Sequence, residues 1–279
     1  VMLAEATEQL GGRVLKESAL PGLAEWRRVR DWRVGQIEPM PNVSVYRGNA
    51  LSVEDVLAIG AEAVVLATGS HWVKTGIGRS SSEPFSGHES ASVFTPDDIM
   101  AGRFPEAGPV LLYDDDNFYL ASVLAEVLAG RGLEVHFVTP DDVIAGWTAN
   151  TLDYRHIQKR LRKLGIHLHT AKSLLAFDGR RAELACTWSD DSVHLDVKAV
   201  VSVTMRLPDD ALYQGLLTRE SEWQAAGIAQ VSCIGDALAP GLIAHAVYAG
   251  HRFAREFEAG PGENGDSAVV PFKRIRHVF

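Results

Sequence analysis

The strongest constraint on this chain is an alternation. Eight short runs of apolar or β-branched residues, Val1–Ala4, Val43–Tyr46, Ala63–Ala67, Val110–Tyr113, Glu134–Val138, Ile166–His169, Ala199–Val203 and Val231–Ile234, are separated by stretches with helical spacing. Runs this short have the length of buried strands, and a strand–helix–strand order leads to a parallel sheet covered by helices. Two helix starts are explicit. Ser52-Val-Glu-Asp55 and Thr95-Pro-Asp-Asp98 each set an N-cap hydroxyl three residues before a carboxylate, the second with proline at the first helical position. Leu120–Ala129 has helical apolar spacing and stops at Gly130, and Tyr154–Leu164 is amphipathic and stops at Gly165. Ser80–Gly87 reads as a loop, Ser173–Trp188 and Val193–Val197 as antiparallel strands, and the tail from Gly260 as a flexible link before a basic-aromatic segment, Pro271–Phe279.

Composition removes several function classes. With 46% hydrophobic and 23% charged residues among 279, the chain has the make-up of a globular protein and not of a disordered one. Its 27 Lys and Arg against 36 Asp and Glu give a net charge of −9, which argues against a surface that neutralises a run of nucleic-acid phosphates. No apolar run reaches the ~18–20 residues of a membrane span, and the first residues lack the basic head of a secretion signal, so a cytoplasmic setting is expected. Cys186 and Cys233 cannot supply the four ligands of an iron–sulfur cluster or structural zinc. The ten histidines show no metal spacing: His167 and His169 alternate along one strand with no carboxylate pair nearby, and His245 and His251 fall on the last helix. Ser70 and His71 stand in no G-x-S-x-G elbow, which leaves a hydrolase no foothold. No catalytic residue and no metal ligand is assigned.

The residues that point to a nucleotide lie at strand ends. Glu5 ends the first strand, where a carboxylate can accept both hydroxyls of an adenosine ribose, and Gly11-Gly12-Arg13 follows, where glycine lets backbone approach a pyrophosphate. Arg13 is open to two readings, a phosphate partner through its planar fork or a surface ion pair. Ala67-Thr68-Gly69 and Gly235-Asp236 close two further apolar strands, the second leading to a helix from about Leu242 whose positive end suits phosphate. The usual G-x-G-x-x-G lies ~20 residues before the acidic residue. Here only four residues precede Glu5, so the opening strand and phosphate loop are expected to be absent and the chain to be the latter part of a longer protein.

Pro109–Val138 has the strand–helix–strand shape of a second dinucleotide fold, yet its turn reads Asp114-Asp-Asp-Asn117 where glycine is expected. One like-charge contact at ~4 Å costs about 4 kcal/mol at an effective dielectric of ~20, several times what a helix N-terminus returns. This fold is therefore not expected to bind NADH or NADPH in the usual way. The aspartates are left as a helix-capping cluster or as a metal or partner contact. A basic-aromatic stretch, Trp26, Arg27, Arg28, Arg30, Trp32 and Arg33, is read as a docking surface and not a nucleic-acid site.

Taken together, Ala6–Gly12, Ala19–Trp26, Arg30–Arg33, Ala67–Gly69, Ala121–Ala129, Arg219–Trp223 (RESEW), Ile234–Asp236, Ala239–Ile243, Gly250–Arg252 and Pro271–Arg274 resemble the carboxy-terminal half of trimethylamine dehydrogenase and its relatives, among them dimethylamine and histamine dehydrogenases and N-methylproline demethylases, with 2,4-dienoyl-CoA reductase more distant. The resemblance implies an α/β chain of two interleaved Rossmann-like domains of the FAD and NAD(P)-binding type. The first would comprise 1–102 and 223–279, lack its opening strand and phosphate loop, and hold ADP or FAD. The second, 103–222, would be an inserted and degenerate NAD(P)-binding-like fold. By position, Glu5 would hold the ribose, Gly11, Gly12 and Arg13 the phosphates, Ala67, Thr68 and Gly69 the wall, and Gly235 and Asp236 the far end. FMN and a 4Fe-4S cluster would belong to an amino-terminal barrel outside this chain. That barrel, an electron-acceptor protein of the electron-transfer-flavoprotein kind and further copies of the parent would be the partners. The function implied is the nucleotide-holding, electron-transfer-supporting part of an amine-oxidising enzyme, inactive by itself. The alternatives are part of an NADPH-dependent enoate reductase, or an interaction module with no nucleotide.

Overall fold

The structure, a computed structural model, describes residues 1–257; the link from Gly260 and the segment Pro271–Phe279 lie outside the described residues. Each of the eight expected strands forms, with its ends shifted by no more than one residue. The result is a mixed α/β fold with a parallel sheet, and the chain packs as two compact units. One is made of Val1–Gln9, Ser44–Ser70 and the described residues from Leu207; the other is made of Leu10–Val43 and His71–Arg206.

The larger unit is built on a five-stranded all-parallel sheet, in the order Val93–Phe94, Ala199–Val203, Val110–Asp114, Val135–Val138 and His167–His169. Period-two alternation sends successive side chains of the central strand to opposite faces. Val110 and Leu112 join a core with Leu120, Leu124 and Leu128 of the helix Leu120–Gly130 and Leu161 of the helix Tyr154–Lys163. Leu111 and Tyr113 join a second core on the other face. There the cover is not a helix but an antiparallel three-stranded sheet, Lys172–Phe177, Arg181–Cys186 and Ser192–Asp196, which supplies Leu174, Phe177, Ala182 and Leu184. All five residues of Val110–Asp114 are buried, the condition that makes parallel strands read as unbroken apolar runs.

The smaller unit contains two parallel pairs, Met2–Ala4 with Ser44–Tyr46 and Ala63–Leu66 with Gln230–Cys233. Val56, Leu66, Leu216 and Ile228 form its core, with Val53, Leu57 and Trp223 packed around them. Both capping boxes close as their spacing requires. Ser52 Oγ accepts the Asp55 N–H at 3.2 Å while Asp55 Oδ2 accepts the Ser52 N–H at 2.9 Å. In the larger unit Thr95 and Asp98 repeat the exchange at 3.3 and 2.8 Å, with Pro96 at the first turn. No helix among the described residues is long and apolar enough to cross a membrane.

The loop Ser80–Gly87 is pinned where it meets the antiparallel sheet. Ser86 N–H donates to Leu175 O at 2.9 Å and Phe177 N–H to Ser86 O at 2.8 Å, and Gly87 follows at φ +85°. A β-carbon on Gly87 would stand 1.9 Å from Phe177 O, a backbone atom that cannot swing aside. Gly87→Ala is therefore expected to lose about 2–4 kcal/mol, from the left-handed dihedral together with the clash. Gly132→Ala, at φ +81° with open space around it, should lose only about 1 kcal/mol. Urea midpoints of the two variants measure the difference, and equal losses would show that the Phe177 contact is not limiting.

Candidate nucleotide site and acidic turn

In the smaller unit the parallel pairing runs from Gln230 opposite Ala63 to Cys233 opposite Leu66, and Ile234 N–H continues the ladder to Leu66 O at 2.9 Å. Ala67-Thr68-Gly69 and Gly235-Asp236 therefore leave the same end of the pair, the carboxyl ends of both strands, which is where open α/β sheets take ligands. Hydrogen bonds fix this end. Asp236 Oδ2 accepts from Ser70 Oγ at 3.1 Å and Oδ1 from the Gly241 N–H at 2.9 Å. Thr68 Oγ1 donates to Asp209 O, and the Asp209 N–H donates back to Gly69 O at 2.9 Å. Beyond Gly69, at φ +92°, the space that a β-carbon would enter is open. The helix Ile243–Glu256 begins two residues after Gly241, with His245 Nδ1 accepting the Leu242 N–H at 3.0 Å. Its first turn is thus capped by a histidine that the sequence reading placed on this helix without a role.

Glu5 ends the other parallel pair of this unit. Its N–H donates to Tyr46 O at 2.8 Å, and its Oε1 accepts from Thr7 N–H at 2.9 Å and Thr7 Oγ1 at 2.8 Å. Gly11, Gly12 and Arg13 belong instead to the larger unit. Gly11, at φ +127°, has an internal reason to be glycine. A β-carbon there would stand 2.7 Å from Arg30 Cγ, while Arg30 Nε reaches past it to Leu10 O at 2.7 Å. Gly12 occupies the N-cap position of the helix Arg13–Ser18 with no atom within 4 Å of a β-carbon. Arg13 pairs through Nε with Glu17 Oε1 at 3.2 Å, and Glu17 is not a surface residue: its side chain is only 2% exposed and Oε2 accepts from Tyr119 Oη at 2.8 Å. Burial, reinforced by the Glu17 carboxylate, pushes the Tyr119 hydroxyl above the ordinary tyrosine range. This buried carboxylate escaped the sequence reading, because R-x-x-x-E in a helix looks like any exposed i,i+4 pair.

The basic-aromatic stretch forms the helix Arg27–Ile37. Part of it is used internally, with Trp26 edge-on to Tyr119 at 4.5 Å and Arg33 Nη1 donating to Val29 O at 2.7 Å. Trp32, by contrast, is 61% exposed.

The Asp114–Asn117 turn stands at the carboxyl end of the central strand, with Ala199–Val203 on one side and Val135–Val138 on the other. This is the switch point at which such a sheet would receive a pyrophosphate. It is filled by the protein itself. Asp115 is fully buried and accepts from Ser80 N–H at 2.8 Å and Ser80 Oγ at 2.7 Å, while Arg79 Nε donates to Asp115 O at 2.8 Å. Arg79 also pairs with Asp141. A β-carbon on Gly78 would lie 2.3 Å from Asp115 Oδ2. The aspartates do not cap the following helix, whose N-cap Tyr119 has no side-chain cap bond. Asp114 caps the turn instead, its Oδ1 accepting the Asn117 N–H at 2.9 Å, while Asn117 Oδ1 accepts the Gly146 N–H at 2.8 Å. Asp114 Oδ2 is buried without a hydrogen-bond partner. Burial first, and then the Asp116 carboxylate, hold the Asp114 carboxyl well above the usual carboxylate range. Burial also raises Asp116, against the opposing pull of Arg206, Arg79 and Arg13.

The sheet also joins residues that looked unrelated along the chain. His136 stands opposite His167 in register, and Glu134 lies two residues before His136 on the same strand face. Glu134, His136 and His167 offer ligand atoms that all lie within 4.8 Å of one another. The alternating histidines do have a carboxylate beside them, supplied by the neighbouring strand.

Within the larger unit, residues 94–202 match the family described as the OYE-like second alpha/beta domain. The whole chain is 31% identical to dimethylamine dehydrogenase of Hyphomicrobium sp. (strain x), covering 100% of this chain and 41% of that protein. Histamine dehydrogenase from Rhizobium sp. 4-9 superimposes with a TM-score of 0.92 at 41% identity, covering 99% of this chain and 43% of that one. 6-Hydroxypseudooxynicotine amine oxidase from Pseudomonas geniculata N1 gives 0.85 at 37% identity, covering 90% and 37%. The chain is homologous to these amine dehydrogenases, as a carboxy-terminal portion of their family, and spans about two fifths of the length of the first two.

The raised Asp114 gives the acidic turn a pH signature. A carboxyl whose folded pKa lies above its unfolded value near 3.8 contributes stability that is complete below that value and is lost as pH rises through the folded pKa. Over that window the wild-type unfolding free energy should fall by up to about 1.4 kcal/mol per pH unit for this one proton. Asp114→Asn, which keeps the acceptor for the Asn117 N–H, should flatten this dependence and be the more stable form at neutral pH. Urea unfolding of both proteins from pH 4 to 8 tests it, and parallel pH profiles would refute a protonated Asp114.

Proposed function

We propose that this chain is the nucleotide-holding, electron-transfer-supporting portion of an amine-oxidising dehydrogenase or N-demethylase. The observation that carries the reading is similarity along the whole chain to dimethylamine dehydrogenase and histamine dehydrogenase. In this reading the chain forms two interleaved Rossmann-like domains, the outer from its two ends and the inner from its middle. Amine oxidation itself, with FMN and a 4Fe-4S cluster, takes place in an amino-terminal barrel of a longer cytoplasmic chain. That barrel, an electron-acceptor protein and further copies of the parent are the partners.

An ADP or FAD moiety fits the outer domain on two counts. The open space beyond Gly69 lies at the carboxyl ends of a parallel pair, and Glu5 presents a half-buried carboxylate at the end of another. Glu5 would accept the ribose hydroxyls, Ala67, Thr68 and Gly69 would wall the nucleotide, and Gly235 and Asp236 would meet its far end. Bound FAD would supply a redox centre, whereas ADP would supply only structure. Asp236 holds Ser70 and Gly241 in place, which presets the backbone on which the ligand rests. The inner domain takes no NADPH because Asp115 already satisfies Ser80 and is paired with Arg79, the donors that would otherwise greet a phosphate.

Denaturing the purified protein should release ADP or FAD, identified by chromatography, and ADP should bind to nucleotide-stripped protein in calorimetry. Glu5→Ala should weaken ADP by about 10–100-fold, the worth of hydrogen bonds to a charged group, while millimolar NADPH gives no heat. Tight NADPH binding would turn the reading toward an enoate reductase. Neither release nor binding of an adenine nucleotide would leave an interaction module.

A further inference from the structure

The cluster at the edge of the five-stranded sheet has no part in the proposed nucleotide chemistry. Glu134 Oε1 lies 3.3 Å from His136 Nε2 and 3.5 Å from His167 Nε2. In a tetrahedral zinc site with metal–ligand bonds of about 2.0–2.1 Å, neighbouring ligand atoms stand about 3.3 Å apart. Two of the three separations therefore already match coordination, and the third closes by a turn of the half-exposed His167 ring. From this geometry we infer that Glu134, His136 and His167 form a site for a divalent transition-metal ion, Zn²⁺ being the ion that a mixed imidazole and carboxylate set suits best.

Strand geometry brings the set together. Glu134 and His136 share a face as residues i and i+2, and the parallel register puts His167 directly opposite His136 with the rings 4.8 Å apart and 19° from parallel. His169 completes the arrangement from the same face, its Nε2 3.0 Å from His136 Nδ1. With metal on His136 Nε2, the Nδ1 proton of that ring is donated to His169 Nε2, the outer hydrogen bond that fixes the tautomer and aim of a metal-bound histidine. Without metal, both Nε2–H groups donate to Glu134 and the tautomers reverse, so binding exchanges hydrogen bonds and needs no redox partner. Side-chain exposures of 54% at Glu134 and 53% at His167 leave a fourth position to water, while His136, at 15%, anchors the set in the sheet.

Calorimetric titration of Zn²⁺ into the full chain after treatment with a chelator should give one site per chain with a dissociation constant in the micromolar range or tighter. Co²⁺ should show the visible absorption of a tetrahedral ion. Glu134→Ala and His167→Ala, both at half-exposed positions, should keep the far-UV circular dichroism of the parent and weaken Zn²⁺ at least 100-fold. His169→Ala should weaken it by about 10–100-fold, as loss of an outer-shell partner does. Absence of any Zn²⁺ binding, or a site of unchanged affinity in Glu134→Ala and His167→Ala, overturns the proposal. The first outcome would leave the cluster a hydrogen-bonded Glu–His pair, and the second would move the ion to other ligands such as the cysteines.

Discussion

A carboxylate taken out of water must be given a proton or a full set of donors, and the end of the strand Val110–Asp114 is where this protein meets that demand. The strand is buried along its whole length because helices cover one face of the sheet and an antiparallel sheet covers the other. Its last residue and the next are carboxylates with no solvent exposure. An isolated charge there would cost several kcal/mol. Asp115 is met by Ser80 and Arg79, and Asp114 by the Asn117 N–H of the turn it caps, with burial holding its carboxyl well above the usual carboxylate range. Asn117, left-handed at φ 53°, gives its N–H to Asp114 while its own side chain accepts the Gly146 N–H.

This arrangement also bears on what the unit binds. Nucleotide-binding α/β folds keep the switch point for a ligand by placing glycine and unsatisfied backbone N–H groups there. Here Asp115 takes up the Ser80 N–H and hydroxyl, and Asp114 takes up the Asn117 N–H of the turn itself. The other unit shows the opposite disposition. At the ends of Ala63–Leu66 and Gln230–Cys233 the polar groups hold the backbone in place while the space beyond Gly69 stays open. The two strand ends thus differ in kind, one closed by the protein's own side chains and one with open space beyond Gly69.

Much of the fold was legible because its causes are local. Ser52 with Asp55 and Thr95 with Asp98 act three residues apart, so the helix starts could be read directly, and the buried strands declared themselves as short apolar runs. The same locality located Ala67–Gly69 and Gly235–Asp236 at strand ends. The reasons behind individual residues were less accessible. Gly11 looked like a phosphate-loop glycine, whereas Arg30, nineteen positions further on, is what excludes a side chain there. Arg13 was open to a phosphate or a surface ion pair, whereas its partner Glu17 is a carboxylate only 2% exposed that also accepts from Tyr119.

The sequence by itself determined the α/β class, the positions of the strands, the capped helix starts and the acidic character of the second turn, since each depends on residues within one turn or one strand. Only the tertiary structure decided which charges are buried, which donors satisfy Asp115, and that Glu134, His136 and His167 meet. Those outcomes depend on strand register and on what packs over each face. A one-residue slip in pairing would send His167 to the opposite side of the sheet from His136 and Glu134.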